Sequence, residues 1–272
     1  MMLMTTNPYK AVFIDLDGTL LNKQSVVGER NAACIKKLVA KGVKVIFSTG
    51  RPIESVRHIC GAIHQDDPVI TLSGSMIHKT MFGSPMKAQT IPFETVRNIL
   101  ETCRDLGGVD NIMLDDEDGF YSLHENEEIE EFVGMFHKRP KVFTYDQVPS
   151  SAVLSLMIHS KANRRDIYTS LHEKFGADAH FTYFKEYPWI EISNFSSNKG
   201  VSMTHVCEAY GFQLDEVIAI GDGANDLEMI AAAGLGIAMG NADEEVKAVA
   251  DRVAPHHTED GFAVVLEEIF GL

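Results

Sequence analysis

Short apolar runs alternate with helix-period segments from residue 10 to 83, and the same rhythm returns from Lys199 to the C-terminal end. Ala11-Val12-Phe13-Ile14 is four apolar residues closed by a glycine-containing polar turn, which predicts a buried strand. Asn31–Lys41 carries apolar side chains at Ala33, Ile35, Leu38 and Val39, close to helical spacing, with Gly42 as the stop. Val43–Phe47 is a second strand. Pro52 suits the first turn of a helix reaching about Cys60, and Val69–Leu72 is a third strand. Strands separated by helices predict parallel pairing with right-handed crossovers.

The pattern changes between. Phe93–Leu106 reads as a helix, Asn111–Leu114 and Gly119–Leu123 as a hairpin around Asp115–Asp118, and Glu125–His137 as a charged helix. Ala152–His159 reads as a strand, Ala162–Phe175 as a helix, and His180–Phe184 and Trp189–Ile192 as strands. This is an α+β rhythm with an antiparallel sheet. Beyond it lie a helix at Gly200–Tyr210, a strand at Glu216–Ile220 and a helix at Leu227–Ala233. A strand at Leu235–Ala238, a helix at Glu244–Ala250, a short strand at Asp251–Val253 and a closing helix at Glu259–Phe270 follow. The expected architecture is α/β: a doubly wound, Rossmann-like parallel-sheet core formed by residues 1–83 and 190–272. An α+β unit, residues 84–189, is inserted into it. No internal repeat or low-complexity stretch interrupts this scheme.

Composition narrows the function classes. The 272 residues carry a formal net charge of −15, which offers no electrostatic footprint for nucleic acid or an anionic membrane. An anionic substrate needs a local cationic site set against that field. Cys34, Cys60, Cys103 and Cys207 are scattered, with no Cys-x-x-Cys pair, so neither a zinc knuckle nor a disulfide framework is expected. No signal peptide or membrane span is expected, and the cytoplasm is the expected location. The acidic run Glu125, Glu127, Glu128, Glu130, Glu131 reads as a solvated helix face rather than a metal site. His58, His64, His78 and His256-His257 match no zinc pattern. Gly234–Gly240 has the wrong spacing for a dinucleotide loop.

Four stretches carry chemistry, each at a strand end or helix start: Asp15-Leu16-Asp17-Gly18-Thr19-Leu20, Thr49-Gly50-Arg51, Lys199, and Gly221-Asp222-Gly223-Ala224-Asn225-Asp226. Ligands of open parallel sheets bind at the carboxyl ends of the strands. Asp15 and Asp17 face the same side if strand geometry persists through them. Two carboxylates about 4 Å apart repel by about 4 kcal/mol at a surface-like dielectric, and a divalent cation is the simplest compensation. If Asp15, Asp17 and Asp222 converge, their all-oxygen donors suit magnesium. Thr49 offers a hydroxyl, Gly50 an unhindered amide and Lys199 a compact positive charge, which together hold a phosphoryl group. One carboxylate can then attack phosphorus while a second handles protons. Asp15, ending the strand, is the better-fixed nucleophile and Asp17 the better-placed acid and base. Arg51 reads equally as a phosphate contact or as a partner for a carboxylate. Trp189 and Tyr187 read as a pocket lining or as packing at a hinge.

These motifs, in this order, resemble the haloacid dehalogenase superfamily of phosphatases, and more closely its Cof-type subfamily. The stretch Gly221–Gly261, with Ala232–Ala242, carries much of the likeness. The resemblance implies a magnesium-dependent phosphatase acting on small phosphorylated metabolites, sugar phosphates foremost, through an aspartyl-phosphate intermediate. It implies that Asp15 is nucleophile and metal ligand, and that Asp17 is general acid/base with its carbonyl on the metal. It implies that Asp222 is the remaining protein ligand, and that Leu16 (by its amide), Thr49, Gly50, Lys199 and Asn225 contact phosphate. Asp226 is implied beside Lys199 or a metal-bound water, and the insertion as a large C2-type cap selecting the leaving group. The subfamily commonly has Asn-Gly-Ala after the third strand where this chain has Ser73-Gly74-Ser75, so the Asn contact is lost or taken over by Ser73. A phosphomutase shares this chemistry. A non-enzymatic aspartyl-phosphate switch shares the residue types, but such receiver domains are shorter and order them differently.

Overall fold

The computed structural model describes residues 7–117, 119–136, 139–185 and 187–272. The chain forms two compact units, Met1–Pro85 with Lys199–Leu272, and Met86–Asn198.

The first unit contains, in chain order, β1 (Ala11–Ile14), α1 (Glu29–Ala40), β2 (Lys44–Ser48), α2 (Ile53–Cys60), β3 (Val69–Thr71) and β4 (Met76–His78). The chain leaves it along β5 (Pro85–Ala88). The second unit contains α3 (Phe93–Leu106), β6 (Asn111–Asp115), β7 (Phe120–Ser122), α4 (Glu127–Phe136), β8 (Lys141–Val142), β9 (Ser155–His159), α5 (Arg164–Phe175), β10 (Ala179–Tyr183) and β11 (Trp189–Asn194). The first unit is completed by α6 (Lys199–Tyr210), β12 (Val217–Gly221), α7 (Leu227–Ala232), β13 (Leu235–Ala238), α8 (Glu244–Val249), β14 (Arg252–Val253) and α9 (Gly261–Phe270).

The first sheet runs β14-β13-β12-β1-β2-β3-β4-β5. From β14 through β3 every pairing is parallel, and β4 returns antiparallel to β3. Its central strands are apolar throughout because both faces are covered. Val12, Ile14, Val45, Phe47, Ile218 and Ile220 pack with side chains of α1, α2 and α9. The alternate residues Ala11, Phe13, Ile46, Val217 and Ala219 pack with Met203, Val206 and Cys207 of α6 and Met229 of α7. Each fully buried Val, Ile or Phe contributes about 1.5–3 kcal/mol. Strand order reverses at β1, since β2 lies on one side of it and β12 on the other. This is the switch point where doubly wound sheets bind ligands.

The second sheet runs β10-β11-β9-β6-β7-β8 and is antiparallel apart from the β7–β8 pair. Helices α3 and α5 cover one face, and Ile129 and Phe132 of α4 pack with Met113, Phe120 and Trp189 on the other. Trp189 is a core residue of this unit, 4.8 Å from the Phe132 ring and 4.5 Å from that of His159, whereas Tyr187 is exposed.

Three short strands, β4, β5 and β8, carry no clear sequence pattern. The second unit ends at Asn198 rather than at 189, because Trp189–Asn194 is a full strand of its sheet. The last helix starts at Gly261, not Glu259, because Asp260 takes a left-handed conformation (φ 54°) after a short 3-10 turn. Glu125, Glu127 and Glu130 are exposed, as a solvated face requires. Asp118, His137 and the side chains of Glu128 and Glu131 lie outside the described residues. All four cysteines are free and buried, and burial pushes the thiols of Cys34, Cys60 and Cys103 up to about 12. No helix among the described residues is long and apolar enough to cross a membrane.

Candidate active site

Parallel register brings the first and last motifs together. Ile14 of β1 lies opposite Ile220 of β12, and the Asp15 amide donates to the Ile220 carbonyl at 3.0 Å. Asp15 and Asp222 therefore leave the sheet on adjacent strands. Asp15 is itself still extended, at φ −71°, ψ 158°, but strand geometry does not persist through Asp17. The chain turns over Leu16–Leu20, with Gly18 at φ 76°, ψ −1°. Asp15 and Asp17 accordingly reach different partners.

Asp15 is buried and accepts a bond from Lys199 Nζ at 2.6 Å. The same ammonium donates to Asp226 Oδ1 at 2.6 Å, and Lys199 is wholly buried at the start of α6. The other oxygen of Asp226 accepts from the amides of Asp222 and Gly223, both at 3.0 Å, which closes the loop after β12. Asp222 Oδ1 accepts from Thr19 Oγ1 at 2.9 Å. Oxygens of Asp15, Asp222 and Asp226 all lie within 4.8 Å of one another.

The electrostatics follow from that crowding. Burial, reinforced by Asp226, pushes Asp222 up to about 7. Burial and the neighbouring carboxylates also raise Asp15 well above the usual carboxylate range, against the opposing pull of Lys199. Burial alone would lower Lys199, but Asp15 and Asp226 outweigh it and hold the ammonium charged. With all three carboxylates ionised, the one ammonium leaves an excess of two negative charges, the amount one divalent cation neutralises. The donors are all oxygen, as a hard cation requires. The backbone makes room for them: a Cβ at Gly18 would stand 2.1 Å from Asp222 Oδ2, and one at Gly221 2.4 Å from the Asp226 carboxyl carbon. The residues present thus fit magnesium.

Asp17 is half-exposed and paired with Arg51. Nε donates to Oδ2 and Nη2 to Oδ1, both at 2.6 Å, a bidentate fork. Arg51 itself is buried, its Nη1 donating to Ser55 Oγ at 3.0 Å and its amide to Thr49 Oγ1 at 3.1 Å. The carboxylate that one reading of Arg51 expects is Asp17. Asn225 Nδ2 donates to Ser73 Oγ at 3.0 Å, and a Cβ at Gly50 would lie 3.3 Å from that hydroxyl. Leu72 and Ser73 both have φ 49°, an uncommon backbone region for residues other than glycine. This turn returns the chain into β4 and sets Ser73 against Asn225.

The predicted residues thus fall into three linked groups within the first unit: Asp15, Asp222, Asp226 and Lys199; Asp17 with Thr49; and Asn225 beside Gly50. Thr19 and Asn241 carry Asp222 and were not singled out by the motif reading. Asn241 sits just past the end of β13, and that strand-end position was the signal available for it.

The chain is similar to known proteins over most of its length. The chain is 30% identical over 272 residues to the 5-amino-6-(5-phospho-D-ribitylamino)uracil phosphatase YitU of Bacillus subtilis, covering 99% of this chain and 100% of that one. It is 27% identical over 237 residues to the HMP-PP phosphatase of Escherichia coli, covering 86% and 85% of the two chains. Among solved structures, TM0651 from Thermotoga maritima superposes with a TM-score of 0.79 at 28% identity, over 96% of this chain and 97% of that one. The sugar phosphatase BT4131, of HAD subclass IIB, shares the fold with a TM-score of 0.81 at 24% identity, over 96% and 99% of the two chains. The family model for haloacid dehalogenase-like hydrolases matches residues 12–266, a span that includes every site residue described above. With its acidic cradle built on strand ends that this match covers, the chain belongs to the haloacid dehalogenase-like hydrolase family.

Proposed function

We propose that the protein is a magnesium-dependent phosphatase hydrolysing small phosphomonoesters, sugar phosphates foremost, through an aspartyl-phosphate on Asp15. The carrying observation is the convergence of Asp15, Asp222 and Asp226 around the buried ammonium of Lys199. Asp15, Asp222 and the backbone carbonyl of Asp17 would hold the magnesium ion, which supplies positive charge against the phosphoryl oxygens.

In this reading a carboxylate oxygen of Asp15 attacks phosphorus and the ester P–O bond breaks. Asp17 gives a proton to the leaving oxygen, then takes one from water. That water attacks phosphorus, phosphate departs and the Asp15 carboxylate is restored. Lys199, the Leu16 and Gly50 amides, the Thr49 hydroxyl and the Asn225 amide bind the phosphoryl oxygens. Thr49 Oγ1 already accepts from the Arg51 amide, so its proton is available to donate. Asp226 fixes Lys199 and the loop bearing Asp222. Arg51 orients Asp17. The inserted unit, Met86–Asn198, is read as the cap that selects the leaving group.

The names of the relatives support small phosphorylated metabolites as a class, since they include a phosphoribitylaminouracil phosphatase and an HMP-PP phosphatase. The test is phosphate release from a panel of sugar phosphates and other small phosphate esters with magnesium. Release of free phosphate from at least one member is expected. Release from none, or an isomerised ester as the only product, contradicts the reading.

A further inference from the structure

Asn241 holds no role in the scheme above, yet its side chain joins three segments of the first unit. Its Nδ2 donates to the Gly18 carbonyl at 2.8 Å and to Asp222 Oδ2 at 3.0 Å. Its Oδ1 accepts the His257 backbone amide at 3.0 Å. A backbone N–H can only donate, so this last bond fixes which end of the amide faces Asp222. The His257 ring completes the loop. Its Nδ1 lies 2.8 Å from the Leu21 carbonyl, and a carbonyl only accepts, so that nitrogen carries the proton.

Asp222 consequently receives one donor on each oxygen, Thr19 Oγ1 on Oδ1 and Asn241 Nδ2 on Oδ2. The donors come from different segments, which fixes the plane of the carboxylate and leaves further lone pairs on both oxygens. Asn241 also ties Asp222 to Gly18, the residue after Asp17, across 223 positions of sequence. No other standard side chain of this length supplies two donors and one acceptor.

We propose that Asn241 is a positioning residue for the divalent cation: it sets the orientation of the Asp222 carboxylate and couples it to the turn that carries Asp17. This rests on the metal-dependent reading above. Partners of this kind that orient a metal ligand typically change affinity by about 10–100-fold when removed.

The test is manganese binding to the full chain without substrate, followed by electron paramagnetic resonance as a stand-in for magnesium. Wild type, Asn241→Ala and Asn241→Ser are titrated, and the melting temperature of each is read in chelator. Wild type is expected to bind, and both variants to bind about tenfold or more weakly, with metal-free melting temperatures close to wild type. Affinity within twofold of wild type in both variants overturns the proposal. So does failure of both to fold in chelator, which would make Asn241 a purely structural residue. Absence of binding by wild type itself defeats the metal-dependent reading, and this proposal with it.

Discussion

Asp17 and Arg51 are the pair whose chemistry can be separated most cleanly by substitution. A guanidinium holds both oxygens of one carboxylate in a planar fork, and an ammonium cannot. Arg51→Lys keeps the charge and loses that geometry. The account predicts a fall of about tenfold in kcat on a sugar phosphate, whose alkoxide leaving group needs a proton from Asp17. The loss on p-nitrophenyl phosphate should be smaller, because its leaving group departs without one. Steady-state kinetics on the two substrates check this, and equal losses on both would count against it. The acidic cluster makes a second prediction. Burial raises Asp222 from 3.8 to about 7, so between those values the folded state binds a proton that the unfolded state releases. Its contribution to stability is full at the acid end and is lost as pH rises toward 7. Metal-free wild type should therefore lose stability relative to Asp222→Asn across that window, as read by urea unfolding at a series of pH values. The stabilisation added by magnesium should grow over the same interval, because protons and cation compete for one carboxylate.

At the scale of elements, the turn after β1 is the most demanding piece of backbone. Gly18 has φ +76°, and a Cβ there would overlap Asp222 Oδ2. Gly18→Ala combines backbone strain of about 1 kcal/mol or more with displacement of a carboxylate in the cradle. Phosphatase activity should fall at least about a hundredfold while far-ultraviolet circular dichroism stays close to wild type, and retained activity would show that the turn tolerates a shifted Asp222. Much at this scale could be read from sequence. β1, α3 and β13 occupy the residues their apolar patterns indicate, because continuous runs and helical spacing are local signals. Strands β4 and β5 escaped because each is too short to show a period. β4 is set by the reversal at Leu72–Gly74, where positive φ occurs at residues other than glycine as well, and β5 by the following turn, in which the Lys79 amide donates to the Ser84 carbonyl. The motifs name Asp15, Asp17, Asp222, Asp226 and Lys199, and a carboxylate partner is one of two readings of Arg51, but which carboxylate it meets is not legible in them. Arg51 meets Asp17 across 34 positions and Asn241 meets Gly18 across 223, and no local pattern encodes such pairings.

At the scale of the whole molecule, the site is carried by one of two compact units, and all its residues come from the ends of strands or the starts of helices around β1 and β12. The first half of that unit supplies Asp15, Asp17 and Thr49, and the second half Lys199, Asp222, Asn225 and Asp226. Apart from β5, the intervening residues, Met86–Asn198, fold around their own sheet and core. A net charge of −15 makes the chain as a whole repel a phosphate ester, so binding depends on local positive groups and on the cation. The central claim is that Asp15 becomes phosphorylated in the course of turnover. It is tested most directly by acid-quenching the enzyme during turnover of a phosphorus-radiolabelled ester that the panel identifies as a substrate. The account predicts hydroxylamine-labile label on the chain when magnesium is present. It predicts no label, and no phosphate release, in Asp15→Asn or in excess chelator. Label of the same kind on Asp15→Asn, or wild-type phosphate release by that variant, would contradict it.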